Sequence, residues 1–169
     1  MSHPPILIVD KNDKPAGRAS YSEIGKKGLI RRIARIMLVN SKGQVLLQKR
    51  SDDVLVYPGK WDNSTSGHVD AGETTLQAAE REMKEEIGVE GVELEFVGKY
   101  YNEVNDETGK VRKFNHYFKG QIEETPADLN EEEVSRVKWF GVEELKKLIH
   151  DNPDDFTDGV VEVVRRFYR

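Results

Sequence analysis

The chain has 169 residues, 37% hydrophobic and 34% charged, with six Phe, six Tyr and two Trp; this is enough to enclose one core and too few for two full domains. A formal charge of −5 and the absence of cysteine mean that broad attraction to nucleic-acid phosphate or an anionic membrane is not its resource, and they exclude disulfide scaffolds, thiolate zinc sites and cysteine nucleophiles. No basic segment leads into an apolar stretch near the start and no run approaches about 18 apolar residues, so neither a signal peptide nor a membrane span is read and the expected address is cytoplasmic.

Ile6-Leu7-Ile8-Val9 reads as a strand, Asp10 to Asp13 as a turn and Lys14 to Arg18 as a returning strand, followed by a short helix from Tyr21. Residues 1–28 therefore form an N-terminal extension on a unit spanning 29–169. Arg32–Val39 and Gln44–Lys49 flank Asn40-Ser41-Lys42-Gly43 and read as a hairpin. Residues 51–70 look irregular, punctuated by Tyr57-Pro58-Gly59 and by Asp62 to Gly67. Thr74–Ile87 is helical, with Thr74 and Gln77 fitting a capping box and Gly88 a stop. Val92–Val104 and Val111–Gln121 suit a second hairpin around 105–109; an acidic loop at 122–133 follows. Val134–Phe140 reads as a strand, Val142–His150 as a helix, and a last helix runs from about Asp155 to Tyr168. Hairpins interspersed with helices predict an α/β fold with a mixed sheet flanked by helices. The first strand has two possible partners, its own chain or a second copy in a homodimer.

On the 74–87 helix, Leu76, Ala79, Met83 and Ile87 form an apolar stripe expected to bury. Beside it Glu82, Glu85 and Glu86 share the same spacing and one patch of surface. Like charges at this spacing cost about 0.2–0.5 kcal/mol per pair on an exposed helix, which calls for a cation. One solution is a solvated face balanced by Arg81 and Lys84. The other is a hard divalent ion, held by a few carboxylates plus water and substrate phosphate. Glu73 and the backbone of Ser66-Gly67 lie in the loop that feeds this helix.

From Gly67 to Val89 the chain reads GHVDAGETTLQAAEREMKEEIGV, which fits Gly-x5-Glu-x7-Arg-Glu-U-x-Glu-Glu-x-Gly-U, with U a large aliphatic residue. Seven fixed residues would coincide by chance in about 10⁻⁵ of chains this long. The pattern resembles the signature box of the Nudix hydrolases. Pro58-Gly59-x-Trp61 and the 134–145 passage are also similar to that family, so the resemblance spans about residues 30–150. It implies an α/β/α sandwich with a mixed sheet, here carrying an N-terminal β-hairpin extension. It also implies water substitution at phosphorus in a small molecule, a nucleoside diphosphate linked to another moiety; the charge balance already argues for no nucleic-acid or membrane partner. By motif position Glu82, Glu85 and Glu86 would bind Mg²⁺ or Mn²⁺, the Ser66 carbonyl and Glu73 would complete or support the site, and Arg81 would orient the glutamates. Glu82 is the first candidate for the base, and Glu133 the next; the other reading of Glu131-Glu132-Glu133 is an exposed acidic loop.

Lys49 and Arg50 end a strand near the box and are candidates for holding a distal phosphate, although alternation points only one inward. His68 is either a substrate or metal contact or a loop residue bonded to its own backbone; His3, His116 and His150 have no constellation around them. Tyr57, Trp61, Tyr100 and Tyr101 are candidates for base stacking or for the core.

A narrower resemblance joins Leu7 to Asp10, Gly17-Arg18-Ala19 and Trp61 through His68 to the isopentenyl-diphosphate-isomerase-like branch. It implies a proton-donating Cys in this loop and a His-rich metal site. Ser66 occupies the Cys place, Arg31 stands where a metal His is expected, and only His68 matches, which argues against isomerase activity. A non-catalytic nucleotide-binding module is the third reading; the intact glutamates favour a hydrolase. No submotif beyond the box names the substrate.

Overall fold

A computed structural model describes residues 3–169. Strands β1 (Ile6–Val9) and β2 (Pro15–Ala19) form an antiparallel hairpin, closed where the Asp10 carboxylate accepts from the backbone of Asn12 and Lys14 at 2.8 and 3.0 Å. Helix α1 (Tyr21–Lys27) follows, its first turn capped by Ser20. Alternation along β1 decides its packing: Leu7 and Val9 join the main core, whereas Ile6 and Ile8 pack with Ala19 and Ile24. Both edges of β1 are filled within the chain, by β2 and by β3 (Ile30–Val39).

Strand β3 organises the sheet. It pairs parallel with β8 (Gly109–Gln121) over its whole length and antiparallel with β6 (Thr65–His68). Its expected hairpin with β4 (Val45–Arg50) exists, but only Leu38↔Leu46 and Val39↔Val45 pair before the strands diverge. Beyond that point β4 takes β5 (Trp61–Asp62) and β9 (Val134–Phe140) as partners, while β7 (Glu95–Asp106) lies outside β8. Helix α2 (Thr75–Ile87) covers one core, with Ala34, Ile36, Leu38 and Leu46 of the sheet. Helices α3 (Val142–Asp151) and α4 (Asp158–Phe167) cover a second core around Met37, Leu47, Tyr117 and Phe140. The result is the expected α/β/α sandwich with a mixed sheet.

Thr74 and Gln77 form the capping box on α2, and Gly88, at φ 68°, ends it. Three residues of the expected stripe, Ala79, Met83 and Ile87, are buried, whereas Leu76 stays 40% exposed. Ala78 and Glu86 join the buried face, so one member of the acidic row faces the sheet while Glu85 stays exposed.

Residues 51–70 are less irregular than their composition predicts, because β5 and β6 arise there. Their Ser, Thr, Gly and Asp residues have little strand preference, and pairing with β4 and β3 supplies what local preference does not. The last helix starts at Asp158, after a separate 3-10 turn at Pro153–Asp155; Thr157 caps it. Trp61 and Tyr100 are core residues, Trp61 lying edge-on to Phe140 at 5.2 Å. His116 has a constellation after all: its Nε2 lies 2.7 Å from Asp13, which Arg32 and Lys99 also contact at 2.9 Å. These partners outweigh burial and hold the Asp13 carboxyl below its usual range. No helix among the described residues is long and apolar enough to cross a membrane.

Candidate active site

One cleft of about 310 Å³ collects most of the chain's buried ionisable groups, at the lower end of the size usual for small-molecule sites. One wall is the face of β3 carrying Arg31, Ile33 and Arg35; Ser66, Gly67 and His68 of β6 lie alongside, and the start of α4 closes another side. Glu82 and Glu86 reach the cleft from α2. The lack of a side chain at Gly67 makes this approach possible, since a Cβ there would collide with the Glu82 carboxyl.

The two glutamates are held differently. Glu86 is 5% exposed; it accepts from the Thr65 hydroxyl, from the Ser66 backbone at 3.1 Å and from the Gln48 amide at 3.4 Å. Glu82 accepts from Arg81 Nη1 at 2.8 Å. Burial pushes Glu82 up to about 7, with the Arg81 charge pulling the other way. Burial, and after it the Glu82 charge, pushes Glu86 well above the usual carboxylate range. Two carboxylates this close, one buried and one partly buried with Arg81 as its counter-charge, raise each other's cost of ionisation.

Arg81 lies outside the cleft and braces the acidic row from behind. Its Nε donates to Glu73 at 2.5 Å, Nη2 to the His68 carbonyl at 3.0 Å and Nη1 also to Glu85 at 3.3 Å. Glu73 in turn accepts from the Asp70 backbone at 3.1 Å, and these bonds hold its carboxyl low against the opposing effect of burial. Glu85 is not among the cleft residues, its side chain remaining 55% exposed. Glu133 stands at the mouth, where desolvation and then the Glu85 charge push it up. Arg50 lines the cleft, bonded to the Val56 carbonyl at 2.8 Å and paired with Asp62 at 3.5 Å; Lys49 does not. His68 is a strand residue rather than a loop one, because β6 forms. It bonds Arg31, not its own backbone, and burial, then the Arg31 charge, brings it down to about 3.

The sequence reading did not single out the polar floor of this cleft. Arg35 donates to Asn115 at 2.8 Å and Asn63 at 3.4 Å. Lys113 pairs with Asp158 at 2.9 Å, and Asp158 also accepts from the Tyr57 hydroxyl at 2.8 Å. Lys113 and Arg35 together hold Asp158 down to about 2, against the effect of burial. A signal was present in β3: Arg31 and Arg35 sit on one face of a strand whose other residues, Arg32 apart, are apolar.

That floor also carries a packing prediction. A Cβ on Gly159 would run into the buried Arg35 guanidinium. Alanine gains about 0.8–1 kcal/mol of helix preference over glycine, whereas forcing a pinned buried group aside costs about 1–3 kcal/mol. The net loss is up to about 2 kcal/mol, so Gly159→Ala lowers the melting temperature by up to about 8 °C; calorimetry showing an increase would mean that Arg35 relaxes freely.

A NUDIX domain model matches residues 29–160. The chain belongs to the Nudix hydrolase family. Isopentenyl-diphosphate Delta-isomerase 2 of Photorhabdus laumondii is 33% identical, over 90% of this chain and 85% of its own length. An uncharacterised Nudix hydrolase of Pseudomonas aeruginosa is 35% identical, over 85% of this chain and 84% of that one. A crystal structure of a Deinococcus radiodurans protein shares the fold at a TM-score of 0.81 and 24% identity, covering 98% of this chain and 99% of that one.

Divalent metal is general to Nudix hydrolases, and the donors here suit a hard cation. They are all oxygen, and include the carboxylates of buried Glu86 and partly buried Glu82, both with raised pKa values, the second packed against the side-chain-free backbone of Gly67. Among the described residues they do not form a closed ligand set, since Glu82 turns to Arg81 and Glu86 to Thr65 and Ser66.

Proposed function

We propose that this Nudix hydrolase cleaves the diphosphate linkage of a nucleoside diphosphate derivative by substituting water at phosphorus, with Mg²⁺ or Mn²⁺ as cofactor. The observation that carries the reading is the convergence of the buried Glu86 and the partly buried Glu82 at the Ser66-Gly67 backbone, in a cleft that also holds Arg31, Arg35, Arg50 and Lys113. Cations for phosphate and carboxylates for a metal meet there. Glu82, Glu86 and the Ser66 carbonyl would hold the ion, with Glu85 and Glu133 at the rim and Glu73 supporting through Arg81. Bound there, the ion would neutralise diphosphate oxygens and lower the pKa of the attacking water.

The chain's own groups supply the remaining parts. Arg81 keeps Glu82 and Glu73 in place. Glu82, raised to about 7, is suited to take a proton near neutral pH, and Glu133 is the second candidate. Arg50 on the cleft wall is the substrate-phosphate contact, with Lys49 outside the cleft and His68 acting through Arg31. Residues 1–28 serve as an extension of a catalytic unit at 29–169.

The isomerase relatives raise a second reading. It requires a proton donor where Ser66 stands, and the chain has no cysteine at all; an alkoxide or neutral hydroxyl is poorly matched to that task near pH 7. One screen separates the two. Diphosphate derivatives and isopentenyl diphosphate are incubated with Mg²⁺, with products identified by mass spectrometry and solvent deuterium as the isotopic probe. Cleaved phosphoanhydrides, lost in Glu86→Gln while that variant still melts cooperatively, are expected. Deuterium in an allylic diphosphate, with no cleavage, would replace this reading by the isomerase.

A further inference from the structure

Four cations line the cleft, and three have protein counterparts. Arg50 pairs with Asp62 and Lys113 with Asp158. Arg35 donates to Asn115 and Asn63 and has the Asp158 and Asp62 charges nearby. Arg31 differs: it is only 4% exposed, yet among the described residues no carboxylate lies within ion-pair distance. Among the described residues its one side-chain hydrogen bond runs from Nη1 to His68 Nε2 at 3.1 Å. A guanidinium has only donors, so the imidazole accepts here and contributes no negative charge. The Nε of Arg31 is buried with no partner among the described residues.

The side chain is nevertheless held in place. Its guanidinium lies 5.6 Å from the centre of the Tyr21 ring, and the Tyr21 ring meets His68 edge-on, also at 5.6 Å. Tyr21 belongs to α1, so the N-terminal extension supplies a wall of the cleft. A buried cation that is fixed in orientation but lacks an anion is costly for the free protein, and a ligand that brings the anion removes the cost.

We propose that Arg31, braced by Tyr21 and His68, is the anchor for a phosphate group of the substrate at the α1 end of the cleft. The proposal deepens the diphosphate reading and rests on it for the identity of the ligand. Phosphate can take two parallel hydrogen bonds from a guanidinium and is the anion that a diphosphate substrate brings, and Arg31 keeps donors that no described residue claims. The extension thereby contributes to specificity: substrates carrying a phosphate at this end are favoured over those ending there in a neutral group.

The test uses inorganic phosphate alone, so it does not depend on turnover. Thermal shift against phosphate, with chloride at matched ionic strength as control, should raise the melting temperature of the wild type. The shift should disappear in Arg31→Gln and persist in part in Arg31→Lys, which keeps the charge and loses the fork. Should Arg31→Gln fail to fold, the wild type still decides: its Arg31 Nε–H nuclear magnetic resonance signal, assigned by Arg31→Lys, should move on phosphate titration. With whichever diphosphate the screen identifies, Arg31→Gln should raise KM about tenfold or more with a smaller change in kcat. An undiminished phosphate shift in Arg31→Gln, an unmoved Nε–H signal, or no shift in the wild type would each overturn the proposal. Arg31-dependent phosphate binding without cleavage of any diphosphate would remove the hydrolase reading and leave the anion site standing.

Discussion

Glu82→Gln melts above the wild type in EDTA, and the gap widens as pH rises. In the folded chain the Glu82 carboxyl titrates at about 7 against an ordinary value of 4.5. Between those values the folded state binds more protons than the unfolded one, so the wild type loses stability with each step upward; below about 4.5 both states are protonated and the two proteins agree. Above 7 the difference is fully developed, about 3 kcal/mol from the shift of pKa, or about 6–12 °C in melting temperature for a chain of this size. The comparison must be between two proteins, because His68, titrating at about 3, gives an opposite slope between 3 and 6.5 in both of them. Added Mg²⁺ should close the gap by stabilising only the wild type. A gap that does not change with pH would show that Glu82 is solvated, and Mg²⁺ that stabilises both proteins equally would show that Glu82 is no ligand. The same substitution is expected to lower kcat by about 10²–10⁴, the several kcal/mol that metal-assisted charge stabilisation supplies.

Arg81→Ala is expected to be the most destabilising single change in this part of the molecule. One guanidinium serves Glu73, Glu82 and Glu85, lies 3.5 Å from Asp70 and caps the His68 carbonyl. Its loss strands Glu73 and Glu82 without their cation, an effect of about 3–5 kcal/mol for partly buried pairs, or roughly 6–20 °C. Arg81→Lys should recover only a minor share, since an ammonium cannot reach all of these oxygens from one position. Arg81 positions other groups and does not itself line the cleft, so the folded fraction of Arg81→Lys should keep KM within about threefold while kcat falls tenfold or more. Circular-dichroism melts and steady-state kinetics on that variant check both parts. An increase confined to KM would instead make Arg81 a substrate contact.

What the sequence discloses depends on distance along the chain. The α2 cap is legible because Thr74 and Gln77 are three residues apart and their bonds are local. The box glutamates are legible as a spacing, and so is the layered α/β fold. Most of the α2 stripe is legible too, in Ala79, Met83 and Ile87, but its edges are not: Leu76 looks like the head of the stripe, and only the position of the sheet shows that Ala78 and Glu86 are buried with it. The floor is hidden for the same reason. Arg35 finds Asn115 80 residues later, and Tyr57 finds Asp158 across 101; no local pattern joins them. Residues 61–68 look like a loop because their strands exist only through their partners.

The position of Ile30–Val39 has one more consequence. This strand carries Arg31 and Arg35 on one face and Ala34, Ile36 and Leu38 in the main core on the other, while its backbone pairs with four other segments along its length. Its amides are released to solvent only when those neighbours separate, so hydrogen exchange there reports global unfolding. The floor of the cleft is thus welded to the least yielding part of the molecule. Any adaptation to differently shaped ligands falls to the rims, at the 51–60 loop and the α1 end.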